Sequence, residues 1–188
     1  MLFPIGDDNR DLTILPVVNY LLIAVNVLVF VFLQGLGTND TFTYSFSTVP
    51  QEIVTGRDVV TPRRNVVDPL SGERFTLPGL QPKPGSVYFT LVTSMFMHGG
   101  IAHLFGNMLF LCIFGDNLEN ALGRRRYLIF YIVCGLIAGL SHVAATTLLN
   151  GNMLIPSLGA SGAISGVLGA YLVLFPHRRV PGLVMGTG

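Results

Sequence analysis

The stretch PSLGASGAISGVLGAYLVLFPHRR, residues 156–179, decides how the rest of the chain is read. It belongs to an apolar run, Leu154–Phe175, that Pro156 and Gly159 interrupt near its start. Its uninterrupted helical part is expected to be only Ser161–Phe175, because proline and glycine end helical patterns. About 20 residues are needed to cross the hydrocarbon of a bilayer, so this helix is short for a span. Ser161 stands at its head between glycines. A serine there is either a small packing residue or a nucleophile, and the other apolar runs must decide.

The composition comes first. Of the 188 residues, 51% are hydrophobic and 11% charged, and the mean hydropathy is +0.62. A soluble domain carries about 25% charged residues. This chain lacks the polar groups to cover a globular surface and reads as an integral protein of the lipid bilayer. A formal net charge of +1 offers no basic surface, so no nucleic acid is expected as a partner. No CxxC or HExxH spacing occurs, and neither a metal nor an organic cofactor is implied. Cys112 and Cys134 lie inside apolar runs and read as buried free thiols. The opening MLFPIGDDNRDL is acidic, the wrong charge for a signal or transit peptide.

Four apolar runs set the organisation: Val17–Leu36, entered through Pro16 at a helix-start position, then about Leu91–Phe114, Tyr127–Leu149, and the short Ser161–Phe175. The first three are expected as complete spans. The fold class is therefore an all-α polytopic transmembrane helix bundle. Residues 1–15 are expected as a cytoplasmic N-terminus, 16–176 as the membrane domain with 37–86 as its outer connection, and 177–188 as a cytoplasmic tail or the start of a missing segment. Arginine sets this orientation: Arg124, Arg125 and Arg126 separate the second and third runs, and Arg178 and Arg179 follow the fourth. The location implied is a prokaryotic cell (inner) membrane. The connection reads as loop, with short strands around Val59–Val60 and Val66–Val67. No internal repeat is visible.

The second run carries SMFMHGGIAHLFGNMLFLCIFGD, residues 94–116. His103 and Asn107 are four apart and share a helix face. Polar side chains at such depth face the bundle interior or water. At 1.5 Å per residue Ser161 stands ~22 Å above Pro176, His103 ~20 Å above Asp116, and Asn107 ~14 Å above it. Ser161 and His103 are thus expected at one level, ~8–10 Å below the outer surface. First-turn N–H groups lack intrahelical partners and favour negative charge. The Ser161 N–H, the His103 ring and the Asn107 amide then form a candidate oxyanion site. Gly159 and Gly162 are expected to let the backbone turn and a substrate chain approach.

Plainer readings stand beside this one. Gly162-x3-Gly166 and Ser161-x3-Ser165 are small-residue steps that usually mean close helix packing, and His103 and Asn107 are residue types that bond helices together. His98 is expected to support the site rather than react, and Asn26 to hold helices together. Glu119, with Arg124–Arg126 after it, reads as a solvated ion cluster. Ser165, one turn deeper than Ser161, ranks below it as a nucleophile. His142 lies ~24 Å above Arg126, near the level of Ser161, and acts as a base only if the two side chains come within ~3 Å.

GASG at 159–162, followed by Gly166 and Gly169, resembles the active-site stretch of rhomboid intramembrane serine proteases. So do His98-x4-His103-x3-Asn107, ENALG at 119–123, PIGDDN at 4–9 and LGAYLVLFPHRRV at 168–180. The resemblance implies six helices around a water-accessible cavity. It implies Ser161 as nucleophile and an oxyanion region of His98, His103 and Asn107, with His103 and Asn107 as direct donors. The substrates it implies are transmembrane helices of other membrane proteins, cut near their outer ends through an acyl-enzyme. The chain departs from the best-known bacterial members in having no Trp and in extra residues around 57–82. The family's base is a histidine on a sixth helix, whereas His177 lies ~24 Å down the fourth helix. A complete reading frame is expected to add two spans carrying that histidine, and residues 1–188 alone are expected to cleave no substrate. Two rivals remain at this point. One is a non-catalytic rhomboid-like binder of membrane helices. The other is a transporter with a half-helix site, which calls for paired broken segments where only one is visible.

Overall fold

The computed structural model describes residues 2–4, 6, 12–67, 74–178 and 180–184. Arg179 and most of PIGDDN lie outside the described residues. Strand β1 (Leu2–Pro4) precedes helix α1 (Val17–Leu28), which Pro16 opens. A wide turn, Val29–Leu33, prolongs α1 and closes with Gln34 N–H donating to Val29 O at 2.9 Å. The helix ends at Leu33 rather than at the expected Leu36. Gly35, Leu36 and Gly37 all take positive φ (+55°, +58° and +91°), which a right-handed helix excludes.

The connection 37–86 is more ordered than a loop. It holds α2 (Asp40–Ser45), capped by the Asn39 side chain accepting from Phe42 N–H, and α3 (Pro50–Thr55), opened by a proline. A hairpin follows, β2 (Arg64–Val67) against β3 (Arg74–Leu77), antiparallel with Arg64 opposite Leu77. The strand expected at Val66–Val67 is the end of β2. None forms at Val59–Val60, because the Val59 N–H donates to the Glu52 carboxylate (3.2 Å) instead of a ladder. Glu52 in turn meets Lys83 at 3.4 Å, both side chains almost fully buried. Lys83 Nζ also donates to Tyr44 O (2.6 Å) and Ser47 O (3.2 Å), and its N–H to Asp58 (3.0 Å). This buried cluster ties the two ends of the connection together. Burial pushes the Glu52 pKa up and the Lys83 pKa down, each shift opposed by the partner's charge.

The second apolar run is not one helix. Short helical turns, including α4 (Thr90–Thr93), end at Phe96, and the backbone is extended at Met97 and Gly100. A long helix α5 (Ile101–Leu122) starts only after the His98-Gly99-Gly100 break and runs eight residues past the expected Phe114. Gly123, at φ +78°, alone separates it from α6 (Arg124–Leu148), so Arg124–Arg126 form the first turn of α6 rather than a linker. Helix α7 (Ser161–Leu174) matches its expected extent to one residue, and β4 (Gly182–Val184) pairs antiparallel with β1.

Helix α7 packs on α6 and α5, and α1 packs on α5. Side-chain atoms placed on Gly162 and Gly166 would fall 2.5 Å from Ala138 Cβ and Cys134 Sγ, so these two glycines set the α6–α7 approach. Gly162 is helical, and of the two glycines expected to turn the chain only Gly159 does so. Gly169 faces open space. Both cysteines are free, as expected, but Cys112 is exposed and Cys134 half-buried, because each lies on a helix flank. The core gathers Leu22, Phe30, Leu111, Leu118, Tyr131 and Val167. Leu21, Val25, Leu28 and Phe32 point outward from the first helix, and Ile129, Val133, Ile137 and Leu140 from α6. Apolar belts of this kind suit lipid rather than water. By length and composition α5 and α6 can cross a membrane, while 17–33 and 161–174 are apolar but shorter.

Glu119 is not a solvated ion. It is fully buried, and its carboxylate accepts from Val18 N–H (3.1 Å) and Asn19 N–H (2.7 Å), the unpaired donors at the start of α1. Asn19 continues the junction, donating to Leu111 O and accepting from Tyr127 OH (2.8 Å). The Asn26 side chain donates to Leu22 O (2.7 Å) within its own helix and also faces Tyr131 of α6.

Candidate active site

The site forms where the 157–160 segment enters α7. An isolated pairing of Thr48 with Ser157 holds this segment (Thr48 N–H to Ser157 O, 3.0 Å; Ser157 N–H to Thr48 O, 2.7 Å). Gly159 N–H donates to Ser94 O at 2.8 Å, and the Thr48 hydroxyl bonds Thr90 O and Ser94 Oγ. Held this way, Gly159 takes φ +123°, which favours glycine, and the chain turns directly into α7. The ladder of α7 begins with Ile164 N–H donating to Ala160 O (3.0 Å). The N–H groups of Ser161, Gly162 and Ala163 precede it and have no intrahelical acceptor.

Ser161 and His103 meet at Gly159. The point where a Gly159 side chain would begin lies 2.8 Å from His103 Cε1, 3.0 Å from Nε2 and 3.6 Å from Ser161 Oγ. Both side chains are exposed and border one space about the width of a substrate group. His98, fully buried, stands edge-on to the His103 ring with centroids 5.2 Å apart. Asn107, one turn along α5 from His103, is buried, and its Nδ2 has no partner among the described residues. An amide donor in that state needs an acceptor. A cavity of 200 Å³ lies beside Ser161, walled by Thr48, Ser94, Ser157 and His142 among others. His142 therefore reaches the same cavity from α6. His177 lies past the opposite end of α7 and takes no part. The Ser165 hydroxyl donates to Ser161 O (2.8 Å) and is engaged within its helix.

Sequence reading missed Gln34. It is fully buried, and its amide brackets the His98 backbone: Nε2 donates to His98 O and Oε1 accepts from His98 N–H, both at 2.9 Å. Nε2 also donates to Thr43 Oγ1 (2.9 Å). The wide turn at Val29–Leu33 rotates Gln34 inward, and such turns recur at functional sites. The available signal was a lone amide ending VFVFLQ.

Chemically, the arrangement brings a hydroxyl at a helix N-terminus, backbone N–H groups without intrahelical acceptors and an imidazole to the turn at Gly159, with a buried carboxamide one turn along α5 from the imidazole. That is the equipment for stabilising an oxyanion. The Rhomboid domain family model matches residues 85–187. The chain is 36% identical over 91 residues to Rhomboid protein 1, mitochondrial, of Saccharomyces cerevisiae, covering 48% of this chain and 26% of that protein. It is 32% identical over 92 residues to the putative rhomboid protease YdcA of Bacillus subtilis (49% and 44%). It is 35% identical over 101 residues to the rhomboid protease GluP of the same organism (53% and 18%). The chain spans less than half the length of each of these relatives. No solved structure matches. The matched segment takes in α5, α6, α7 and every residue of the site from Ser94 on, and with more than half its length inside that model the chain belongs to the rhomboid family, whose members are helical membrane bundles.

Proposed function

We propose that the protein is an intramembrane serine endopeptidase in which Ser161 attacks peptide bonds in transmembrane segments of other membrane proteins. The observation that carries this is the placement of Ser161 at the head of α7, sharing the space at Gly159 with His103. Ser161 Oγ adds to the carbonyl carbon, and the Oγ–carbon bond forms as the carbonyl becomes an oxyanion. The Ser161 N–H, the His103 ring and the Asn107 amide donate to that oxygen, with His98 and Gln34 holding His103 in place. The Ser161 proton passes to a base and from it to the leaving amine. Water then hydrolyses the acyl-enzyme by the same steps. Family resemblance assigns the base to a histidine on a later helix, and among the described residues His142 shares the cavity.

The proposed setting is a prokaryotic cell membrane with the arginine-rich end inside. Arg178 donates to Asn117 near the end of α5, so Arg178 and Arg124–Arg126 share one end of the bundle. The test is covalent labelling of the full-length protein by a fluorophosphonate, with the adduct located by peptide mass. The adduct is expected on Ser161, absent in Ser161→Ala and retained in His142→Ala. No adduct on folded protein favours a non-catalytic binder of membrane helices, and an adduct on another serine overturns Ser161 as the nucleophile.

A further inference from the structure

The arginine-rich end of the bundle holds a concavity of its own, apart from the site at Ser161. It encloses 420 Å³ and is lined by Ile14, Leu122, Gly123 and Arg124–Arg126. Its charge is unbalanced. Arg124 turns inward, its Nη2 donating to Leu15 O (3.3 Å) and its Nε 4.0 Å from Glu119. Glu119 is already committed to the start of α1, where it accepts from Val18 and Asn19 N–H. Arg125 and Arg126 are exposed and have no partner among the described residues. All three arginines stand in the first turn of α6, which carries no acidic residue. Cations suit the other end of a helix, because N-terminal N–H groups are themselves partial positive charges. The ladder of α6 opens with Tyr127 N–H donating to Gly123 O (2.9 Å), so the N–H groups of Arg124–Arg126 add to the same positive end. An apolar track leaves the concavity along the same helix. Arg125, Ile129, Val133 and Ile137 recur at steps of four, which puts them on one face, and all four are exposed.

We infer that this concavity holds the phosphate of one anionic phospholipid, with an acyl chain laid along Ile129, Val133 and Ile137. The inference needs the membrane bundle but not the protease reading. Arginine binds phosphate oxygens through two parallel bonds, and Arg125 and Arg126 offer two such forks. Their unbalanced charge selects a net anionic headgroup, since a choline headgroup brings a further cation to the same place. The volume falls within the range of ligand pockets; it suits a glycerophosphate headgroup and leaves the chains outside. The track favours a lipid over a free phosphate. Arg125 to Ile137 spans about 18 Å at 1.5 Å per residue, and the hydrocarbon of one leaflet is about 15 Å deep. A cation pair at headgroup level thus stands at the foot of an apolar face about as long as one leaflet is deep, which a soluble phosphate would leave unused. Basic pockets at this level of a helix bundle hold anionic headgroups. Arg178, at the same end, is engaged with Asn117 and lies over the Phe175 ring, 4.5 Å from its centroid, so the site rests on the α6 arginines.

The test is lipid retention by the full-length protein, read by native mass spectrometry after release from mixed micelles holding phosphatidylglycerol and phosphatidylcholine in equal amounts. One phosphatidylglycerol is expected to be retained, about tenfold more tightly than phosphatidylcholine. Arg125→Glu with Arg126→Glu should abolish that preference and create one for a diacyl lipid with a trimethylammonium headgroup, a gain that misfolding cannot mimic. Arg57→Glu with Arg63→Glu makes the same change of net charge on the 37–86 connection and should leave retention as it was. Ile129→Asn with Val133→Asn should weaken phosphatidylglycerol about tenfold. Glycerol phosphate, the probe without chains, should compete about 10²-fold less well than the lipid. Equal retention of the two lipids, or a preference lost as readily in the connection variant, overturns the site. Competition by glycerol phosphate at lipid-like concentration, with retention untouched by the Ile129 and Val133 changes, marks a free-phosphate site and overturns the lipid.

Discussion

Gly159→Ala is the smallest change that reaches the site, and its two costs fall on different observables. The first is conformational. Gly159 sits at φ +123°, where a residue with a Cβ is strained by about 1–3 kcal/mol. The second is steric. The new Cβ would lie 2.8 Å from His103 Cε1 and 3.0 Å from Nε2, and ordinary contact requires the ring to withdraw by about 0.5–1 Å. His103 is exposed on the side away from the His98 ring, so its withdrawal into open space costs little stability. It does pull the proposed oxyanion donor off its acceptor, and a misplacement of about 1 Å is worth about 10²-fold in rate. Ser161 Oγ, at 3.6 Å, is left in ordinary contact. Denaturant unfolding of the full-length variant should show a loss of about 1–3 kcal/mol, and cleavage should fall about 10²-fold in kcat. Because the kinetic cost runs through His103, adding His103→Ala should lower activity no further than His103→Ala alone. Additive losses in the double variant, or full activity in the single one, would refute the reasoning.

Asn107→Ala should lower kcat by about 10²-fold with folding retained, read by cleavage kinetics, since it removes one donor from the oxyanion. Lys83→Met leaves the Glu52 carboxylate buried without its cation and should cost about 3–5 kcal/mol at pH 8, whereas Glu52→Met with Lys83→Met should recover most of it. The pH dependence has a fixed sign: burial already raises the Glu52 pKa and loss of Lys83 raises it further, so stability of the single variant should increase as pH falls through that raised value, measured by unfolding at pH 8 and pH 5. Glu119→Ala removes two charge-assisted bonds to the start of α1 and should destabilise by about 3 kcal/mol in denaturant unfolding. Cysteines at Thr76 and Arg125 should react with an impermeant maleimide from opposite sides of the membrane, and same-side labelling would overturn the arginine-based orientation.

Local punctuation made α7 legible: Pro156 and Gly159 break the apolar run and Ser161 begins the helix. The same logic misplaced α5, because apolar content runs straight through His98-Gly99-Gly100 while the backbone there is extended. Its far end was missed for the opposite reason. Asp116, Asn117 and Glu119 look like the end of an apolar run, yet Glu119 is buried because it completes the first turn of α1, a partner about one hundred positions away. Ser161 and His103 could be paired by counting residues along two helices that run in the same direction, since rise per residue is fixed. Gln34 could not. Its role depends on a turn that departs from the regular helical period and on His98, 64 positions on. The Glu52–Lys83 pair was equally hidden, because charge in a connecting segment ordinarily means solvent exposure.

The central claim is tested most directly by reconstituting the full-length protein in liposomes with a single-span substrate and locating the cut by mass spectrometry. The account predicts cleavage inside the membrane-embedded segment near its outer end, abolished by Ser161→Ala. Cleavage that survives Ser161→Ala, or binding of the substrate helix with no cleavage by the unaltered protein, would contradict it.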